Sequence, residues 1–125
     1  MAIIWLVDNL GGSDLIKKVY RLKSPKDFRQ AYQKGKSIVN AYLVVYYRKN
    51  LRNEYRIGFS VSKKVGKAVI RNRIKRRLRE ICRLNEKIFP PGLDLIVVAR
   101  VRVKDASYRI MEKSLLDLVR KIGKS

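Results

Sequence analysis

The first regular pattern of apolar and polar residues predicts a short helix that begins after Ser24. Ser24 can cap this helix, Pro25 suits its first position, and Gly35 is a natural stop. Phe28 and Tyr32 lie four residues apart, so their side chains share one face of the helix.

Two segments with the composition of β-strands follow this helix. Residues 38–47 are rich in β-branched and aromatic side chains and predict a strand. Residues 55–61 alternate apolar and polar side chains with a period of two, which is typical of a half-buried strand. A polar connection at residues 49–53 separates the two segments, so the pattern predicts that they form an antiparallel hairpin.

A long helix, an apolar strand and a final helix account for the rest of the chain. The long helix is predicted over residues 68–88, and a Pro-Pro-Gly sequence at 90–92 ends it. Residues 93–101 are nearly all apolar, which indicates a central strand covered on both faces. Asp105 or Ser107 can cap the last helix, whose apolar stripe comprises Tyr108, Met111, Leu115, Leu118 and Ile122. This order of elements predicts an α+β sandwich, in which one sheet carries packed helices.

The start of the chain differs from the rest. Residues 1–7 are apolar, but this run is too short to cross a membrane, and it lacks the basic flank of a signal peptide. A Gly-Gly-Ser sequence at 11–13 indicates a flexible joint. We therefore expect residues 1–16 to be a flexible N-terminal extension and residues 17–125 to form a single domain.

Composition restricts the chemistry that this chain can perform. The chain has no His and a single Cys, Cys82, which excludes Ser-His-Asp and Cys-His catalysis and a Cys/His zinc site. The carboxylates are scattered, and no pair is spaced for acid–base work or for holding metal ions. One Cys allows no internal disulfide, which fits a cytoplasmic protein. The residues therefore predict no group in the protein that breaks bonds by itself.

The charge of the chain predicts a polyanionic partner. The 125 residues include 31 Lys and Arg against 10 Asp and Glu, so the formal net charge is +21. A protein this basic is expected to bind nucleic acid.

Much of this charge lies on one face of the long helix. Residues 63–83 contain ten basic residues and a single acid, Glu80. Apolar side chains share one quadrant of the helix, and the opposite face carries Asn72, Lys75, Arg76, Arg79 and Arg83. An ordinary solvated face mixes signs, because like charges one turn apart repel each other. The one-signed face favours binding to nucleic acid over simple solvation.

A second basic group surrounds the first helix. Residues 17–36 contain eight basic residues and one acid, Asp27. Aromatic rings beside basic side chains can stack on unpaired bases, so Phe28 and Tyr32 are candidates for that role. Their spacing fits plain core residues equally well.

The sequence from Ser60 to Arg76, SVSKKVGKAVIRNRIKR, resembles the characteristic motif of the bacterial ribonuclease P protein family, including its Arg-Asn-Arg element. Shorter matches support the resemblance at Tyr20–Lys23, Asp27–Phe28, Gly35–Ser37, Arg56–Gly58 and Asp94–Arg100. The resemblance covers residues 20–122, and the first 16 residues depart from the family.

The resemblance implies a fold with the order α-β-β-β-α-β-α, similar to a ribosomal-protein domain. The sheet is expected to be mostly antiparallel, with a left-handed βαβ crossover, although the general rule predicts the opposite hand. The residue pattern alone does not separate a third strand, which we expect near residues 60–64.

The resemblance also implies a function. The chain is expected to be the accessory subunit of an endoribonuclease whose catalytic RNA removes the 5′ leader of precursor tRNA. Any Mg²⁺ is expected on the RNA and none on the protein, and the partners are the ribonuclease P RNA, in a 1:1 complex with a protein monomer, and precursor tRNA. No membrane or small-molecule substrate is expected.

The resemblance assigns two sets of residues. Those expected to contact the catalytic RNA are Arg71, Asn72, Arg73, Lys75, Arg76 and Arg79. Those expected to contact the precursor tRNA leader are Phe28, Tyr32, Tyr46, Ser60, Lys63 and Lys64. The resemblance thus favours the stacking role for Phe28 and Tyr32.

Two other readings stay open at this point. A structural ribosomal-type RNA-binding protein or an RNA chaperone would share the charge and the fold without a cleavage partner. A DNA-binding regulator could use the basic helix in a major groove, but the sequence shows no helix-turn-helix spacing.

Overall fold

The computed structural model describes Leu22 and residues 24–123. The predicted N-terminal extension lies outside the described residues. Within them, the order of helices and strands is α-β-β-β-α-β-α, as expected. The elements are α1 (Pro25–Lys34), β1 (Lys36–Val39), β2 (Leu43–Lys49), β3 (Arg56–Ser60), α2 (Ala68–Leu84), β4 (Leu93–Ala99) and α3 (Tyr108–Gly123), with short 3-10 helices at Glu86–Ile88 and Val101–Asp105.

Helix α1 begins and ends where the sequence predicts. The Ser24 hydroxyl accepts a hydrogen bond of 3.2 Å from the backbone N–H of Lys26. At the other end, the Gly35 N–H donates to the carbonyl oxygen of Ala31 at 3.0 Å. A side chain at Gly35 would collide with the carbonyl oxygens of Ala31 and Tyr47, so the chain can leave the helix here only through glycine.

The single strand predicted over residues 38–47 is in fact a hairpin of β1 and β2. The two strands pair antiparallel up to Val39 and Val44. The Asn40 side chain closes the turn, because its Oδ1 accepts hydrogen bonds from the N–H groups of Tyr42 (3.0 Å) and Leu43 (2.9 Å). This hairpin supplies the third strand. The expectation of that strand near residues 60–64 is wrong, since residues 63–65 form a turn.

The predicted hairpin between residues 38–47 and 55–61 is also wrong. The strand order is β1-β2-β4-β3, so β4 lies between β2 and β3. Strand β4 pairs antiparallel with β2 and parallel with β3. An alternating pattern identifies a strand but not its partner, and the nearly continuous apolar run of β4 suits the central position. Helix α2 forms the crossover between the parallel strands β3 and β4.

The last two helices follow the predicted patterns with small changes. Helix α2 ends at Leu84 rather than at residue 88. At this end the Asn85 side chain donates a hydrogen bond of 2.8 Å to the carbonyl oxygen of Ile81. The Ser107 hydroxyl, rather than Asp105, accepts a hydrogen bond from the N–H of Ile110 at 3.2 Å at the start of α3. The predicted stripe of α3 is confirmed, with Met111, Leu115, Leu118 and Ile122 buried and Tyr108 half-buried.

The strand register assigns each side chain to one of two sheet faces. Phe59, Val97 and Val45 form one row across the sheet, and all three are fully buried. Helix α3 contacts β1 and β2 on this face, and α2 packs beside α3. Gly58, Ile96 and Tyr46 form a row on the opposite face, over which α1 lies. None of the helices in the described part of the chain is long and apolar enough to cross a membrane.

Candidate RNA-binding surfaces

Helix α1 packs on the sheet through Phe28. The Phe28 ring is fully buried and lies against Gly58, where a Cβ atom would overlap the ring. The ring has no exposed surface in this structure, so its burial does not support the stacking role expected for Phe28, which stays a prediction. Phe28 is a core residue that sets how closely α1 approaches β3.

An ion-pair cluster holds the same helix in place. The Arg56 guanidinium donates to Asp94 Oδ1 and Oδ2 at 2.8 and 2.7 Å and to Asp27 Oδ2 at 3.2 Å. The hydrogen bonds that Asp94 accepts raise the pKa of Arg56 above its ordinary value. Arg48 on β2 donates a further hydrogen bond to Gln30 on α1. These contacts connect α1 to β2, β3 and β4.

Tyr32 and Tyr46 form an aromatic pair at the edge of this packing. Their rings meet edge to face, with centroids 4.8 Å apart and planes at 76°. Both residues are half-buried, so part of each remains exposed. Ser60 is fully buried and forms a hydrogen bond with Tyr32, and burial raises the pKa of the Tyr32 hydroxyl. Ser60 therefore supports Tyr32 from below and has no exposed surface of its own, so the leader contact expected of Ser60 stays a prediction.

The sheet face beyond this pair is open. Val44 and Val98 share the face with Tyr46 and are half-buried, while Val39 at the edge is 55% exposed. We call the surface formed by Tyr32, Tyr46, Val44 and Val98 the cleft. Lys63 and Lys64 are both exposed in the turn after β3. Because β3 ends at Ser60, this basic turn lies at the same end of the strands as the open face.

Helix α2 presents a basic face, although not every predicted residue belongs to it. Arg73 and Arg76 are exposed, and Arg71, Asn72 and Arg79 are half-buried. Lys75 is only 4% exposed, so its placement on the solvated face is wrong. Helical periodicity gives the direction of a side chain about the axis, but not how far neighbouring segments cover the flank of the helix.

The described surroundings of α2 provide little neutralisation for this face. Glu80 forms an ion pair with Arg83, with an N–O distance of 2.7 Å. Among the described residues, neither Arg73 nor Arg76 has an ion-pair partner, and the buried Nε of Arg71 has no hydrogen-bond partner. The first turn of α2 contains no acidic residue, so its exposed amides add to the positive potential.

The sequence analysis does not identify one further cationic segment, residues 100–104. The chain after β4 places Arg102 over the ring of Tyr42, 5.6 Å from its centroid. Arg100 Nη1 donates to the carbonyl oxygen of Asn40 at 2.7 Å. The alternation of basic and apolar residues over 100–104 was the available signal, but these residues form a 3-10 helix rather than a strand extension.

Cys82 takes no part in these surfaces. It is fully buried, and burial raises the pKa of its thiol. Within the described ranges, no group of three or more Cys, Asp or Glu side chains is placed to hold a metal ion.

Comparison with known proteins gives one consistent result. The family model described as Ribonuclease P matches residues 16–123. The chain is similar to the ribonuclease P protein component of Clostridioides difficile, with 50% identity over 102 residues that cover 80% of this chain and 89% of the relative. The corresponding protein of Alkaliphilus oremlandii is 47% identical over 108 residues, which cover 86% of this chain and 95% of the relative.

Solved structures agree with the sequence comparison. The RNase P protein from Thermotoga maritima superposes with a TM-score of 0.76 at 36% identity, covering 81% of this chain and 96% of that protein. The RNase P protein of Staphylococcus aureus gives a TM-score of 0.77 at 41% identity, covering 86% and 97%. Taken with the α+β order and the basic helix, these matches show that the chain belongs to the ribonuclease P protein family.

Proposed function

We propose that this chain binds the catalytic RNA of ribonuclease P through α2 and the 5′ leader of precursor tRNA through the cleft. In this proposal one protein monomer joins one RNA, and the RNA performs the cleavage with Mg²⁺ that the RNA holds. The protein supplies affinity for the leader and neutralises phosphates. Its contribution is therefore binding and positioning.

One observation carries the proposal. A one-signed basic helix face and an open aromatic sheet face lie in the same small domain, and the basic turn at Lys63 and Lys64 joins α2 to β3 at the edge of that sheet. Folded RNA is recognised chiefly through its phosphates and shape, whereas single-stranded RNA is recognised by stacking on aromatic rings. The two surfaces thus suit two different RNA segments.

The geometry changes the residues that we assign to each surface. Tyr32 and Tyr46 offer exposed ring surface to leader bases, and Lys63 and Lys64 contact leader phosphates. Phe28 and Ser60 act from beneath, since both are fully buried. On α2, Arg73 and Arg76 are the principal phosphate contacts, and Arg71, Asn72 and Arg79 flank them.

The proposal predicts a preference for substrates that carry a leader. The affinities of precursor and mature tRNA for the catalytic RNA are measured with and without the protein, at moderate Mg²⁺ concentration. The protein should strengthen precursor binding and leave mature tRNA binding unchanged. Equal strengthening of both would contradict the role of the cleft.

Variants connect that preference to the aromatic pair. Tyr46→Ala should lower the affinity for precursor about 5- to 150-fold, since a base stacked on an aromatic side chain contributes about 1–3 kcal/mol. Tyr46→Phe should retain most of it. Tyr108→Ala, at another half-buried tyrosine on α3, is the matched control and should leave the preference unchanged.

The same reconstitution separates this function from an RNA chaperone. A protein subunit of ribonuclease P should restore precursor cleavage by the catalytic RNA at low Mg²⁺, because added cations neutralise phosphates that the metal otherwise screens. A chaperone would accelerate RNA folding but would be dispensable once the RNA is folded. Restoration with pre-folded RNA therefore supports the proposed function.

A further inference from the structure

A third basic surface lies at the opposite end of the sheet from the basic turn. It is a groove of about 540 Å³ between the end of α1, the hairpin of β1 and β2, and the end of α3. Four cations line it, namely Lys34, Lys36, Arg48 and Lys49. We call it the edge groove.

Among the described residues, no acidic side chain neutralises the charge of the edge groove. No Asp or Glu of this part of the chain lines it. Lys34, Lys36 and Lys49 are exposed, and none of them forms an ion pair with another described residue. Arg48 is bonded to Gln30, which is uncharged. Four like charges around one groove repel each other, and a polyanion that enters the groove relieves that repulsion.

The floor of the groove is apolar. Tyr47, Leu93 and Ile122 line it beneath the cationic rim. A strand of RNA has the matching character, with phosphates that pair with lysines and with ribose and base surfaces that pack on aromatic and apolar side chains.

The position of the groove identifies which RNA can reach it. Strand β4 spans seven residues, so its start at Leu93 lies about 20 Å from the end of the sheet where α2 begins. Tyr47 lies on the sheet face that α3 covers, whereas Tyr46 in the cleft lies on the opposite face. The apolar floor of the groove therefore lies on the face opposite the cleft, while Lys34 on α1 and Arg48, which shares the face of Tyr46, line its rim. Helix α2 lies on the same side of the sheet as α3, so RNA bound to α2 is on the side of the groove.

We propose that the edge groove is a third RNA-binding site, which holds a segment of the catalytic RNA distinct from the segment bound by α2. This inference rests on the proposed function, because it takes the RNA on α2 to be the catalytic RNA. Contacts at both the groove and α2 fix the orientation of the protein on the RNA, which a single helix contact does not.

Site-directed crosslinking tests the proposal directly. Because Cys82 is buried, a thiol-reactive photocrosslinker attaches only to an introduced cysteine. Each crosslink to RNA therefore originates from that one position. The positions are Lys36→Cys in the groove, Val69→Cys on the exposed first turn of α2, and Lys113→Cys on the outer surface of α3. The label at 36 should crosslink to catalytic RNA at nucleotides separate from those reached from 69, and the label at 113 should give no crosslink.

The outcomes distinguish this inference from the proposed function. If the label at 69 crosslinks to catalytic RNA and the label at 36 does not, the groove is not an RNA site, while the function of α2 stands. Crosslinks from 36 to precursor tRNA alone would also overturn the inference. If neither label crosslinks to the catalytic RNA, the proposed function fails and the inference fails with it.

A charge-matched pair of triple variants gives an independent test. Lys34→Gln, Lys36→Gln and Lys49→Gln are combined in one protein, and Lys87→Gln, Arg109→Gln and Lys113→Gln in the control, all at exposed positions. The groove variant should lower the slope of log affinity against log salt by about two units, since each lost phosphate contact contributes about 0.7 to 0.9. Its precursor preference should match that of the unmodified protein. A slope equal to that of the control would overturn the inference.

Discussion

Arg56 and Asp94 face each other across the parallel strands β3 and β4, and two hydrogen bonds of 2.8 and 2.7 Å join their side chains. The same guanidinium reaches Asp27 on α1 at 3.2 Å. The Asp94 side chain is only 9% exposed, so water competes little for these bonds. One arginine thus ties the central strand to the helix that forms a wall of the cleft.

Loss of the Asp94 charge should destabilise the fold. Asp94→Asn keeps the shape of the side chain but weakens two charge-assisted hydrogen bonds, so the free energy of unfolding should fall by about 1–3 kcal/mol. Urea denaturation measures the change. Glu80→Gln removes the carboxylate of an exposed ion pair and should leave stability unchanged. Equal effects of the two substitutions would show that the Arg56 cluster contributes no more than a surface pair.

The contact between Phe28 and Gly58 gives a second prediction. Gly58→Ala introduces a methyl group into the Phe28 ring, so α1 must shift, and the free energy of unfolding should fall by about 1–3 kcal/mol. Gly123→Ala, where the added methyl group meets only Pro90 at 3.8 Å, is the control and should be tolerated. A stable Gly58→Ala protein would mean that α1 is not seated on β3 as described.

Substitutions at Phe28 and Tyr46 should have different effects, the first on stability and the second on leader recognition. Phe28→Leu removes buried ring volume, so it should lower the melting temperature. Measured below that temperature, the ratio of precursor to mature tRNA affinity should stay within about twofold, because Phe28 is buried and offers no surface to the leader. A twofold change corresponds to less than about 0.5 kcal/mol. Tyr46→Ala should reduce the ratio instead. A Phe28→Leu protein that is stable but has lost the preference would restore the stacking role for Phe28.

The basic residues of α2 should differ in their effect on RNA binding. Arg73→Ala and Arg76→Ala should each lower the salt slope for catalytic RNA by about one unit. Lys75→Met should leave the slope unchanged, because Lys75 is 4% exposed. Binding titrations over a range of KCl concentrations give all three slopes. A reduced slope for Lys75→Met would show that its ammonium group reaches a phosphate in the complex.

Cys82 should make the fold less stable at alkaline pH. Burial raises the pKa of its thiol, so the folded protein retains a proton that the unfolded chain releases above about pH 8.5. The stabilising contribution is complete below that pH and declines as pH rises, by at most about 1.4 kcal/mol per pH unit. Urea denaturation between pH 7.5 and 10.5 should show a steeper decline for the unmodified protein than for Cys82→Ala. Parallel curves would contradict the assignment.

Local sequence signals predict the helices and strands, whereas the pairing of the strands depends on contacts between distant residues. Ser24, Gly35 and Ser107 act through bonds to residues at most four positions away, so their roles could be identified from the chain. The pairing of β4 between β2 and β3 depends on residues more than 30 positions apart and has no local signal. The hairpin prediction was wrong for that reason.

The candidate site shows the same division. Tyr32 and Tyr46 were identified, but the burial of Phe28 depends on Gly58, 30 residues later in the chain. The edge groove has no sequence signal of its own, because Lys34 and Lys36 fall in the basic run of the first helix. The strand register places Lys36 opposite Tyr47 and so near Lys49, whereas Lys34 reaches the groove from the end of α1.

The central position of β4 has a consequence for synthesis of the protein. The sheet cannot close until residues 93–99 have left the ribosome, by which point α2 and all its arginines have already emerged. At about 5–20 residues per second, a strongly basic chain lacking its central strand persists for seconds beside ribosomal RNA. An RNA-binding helix thus becomes available before the domain that carries it has folded, so early RNA contact and folding compete for the same nascent chain.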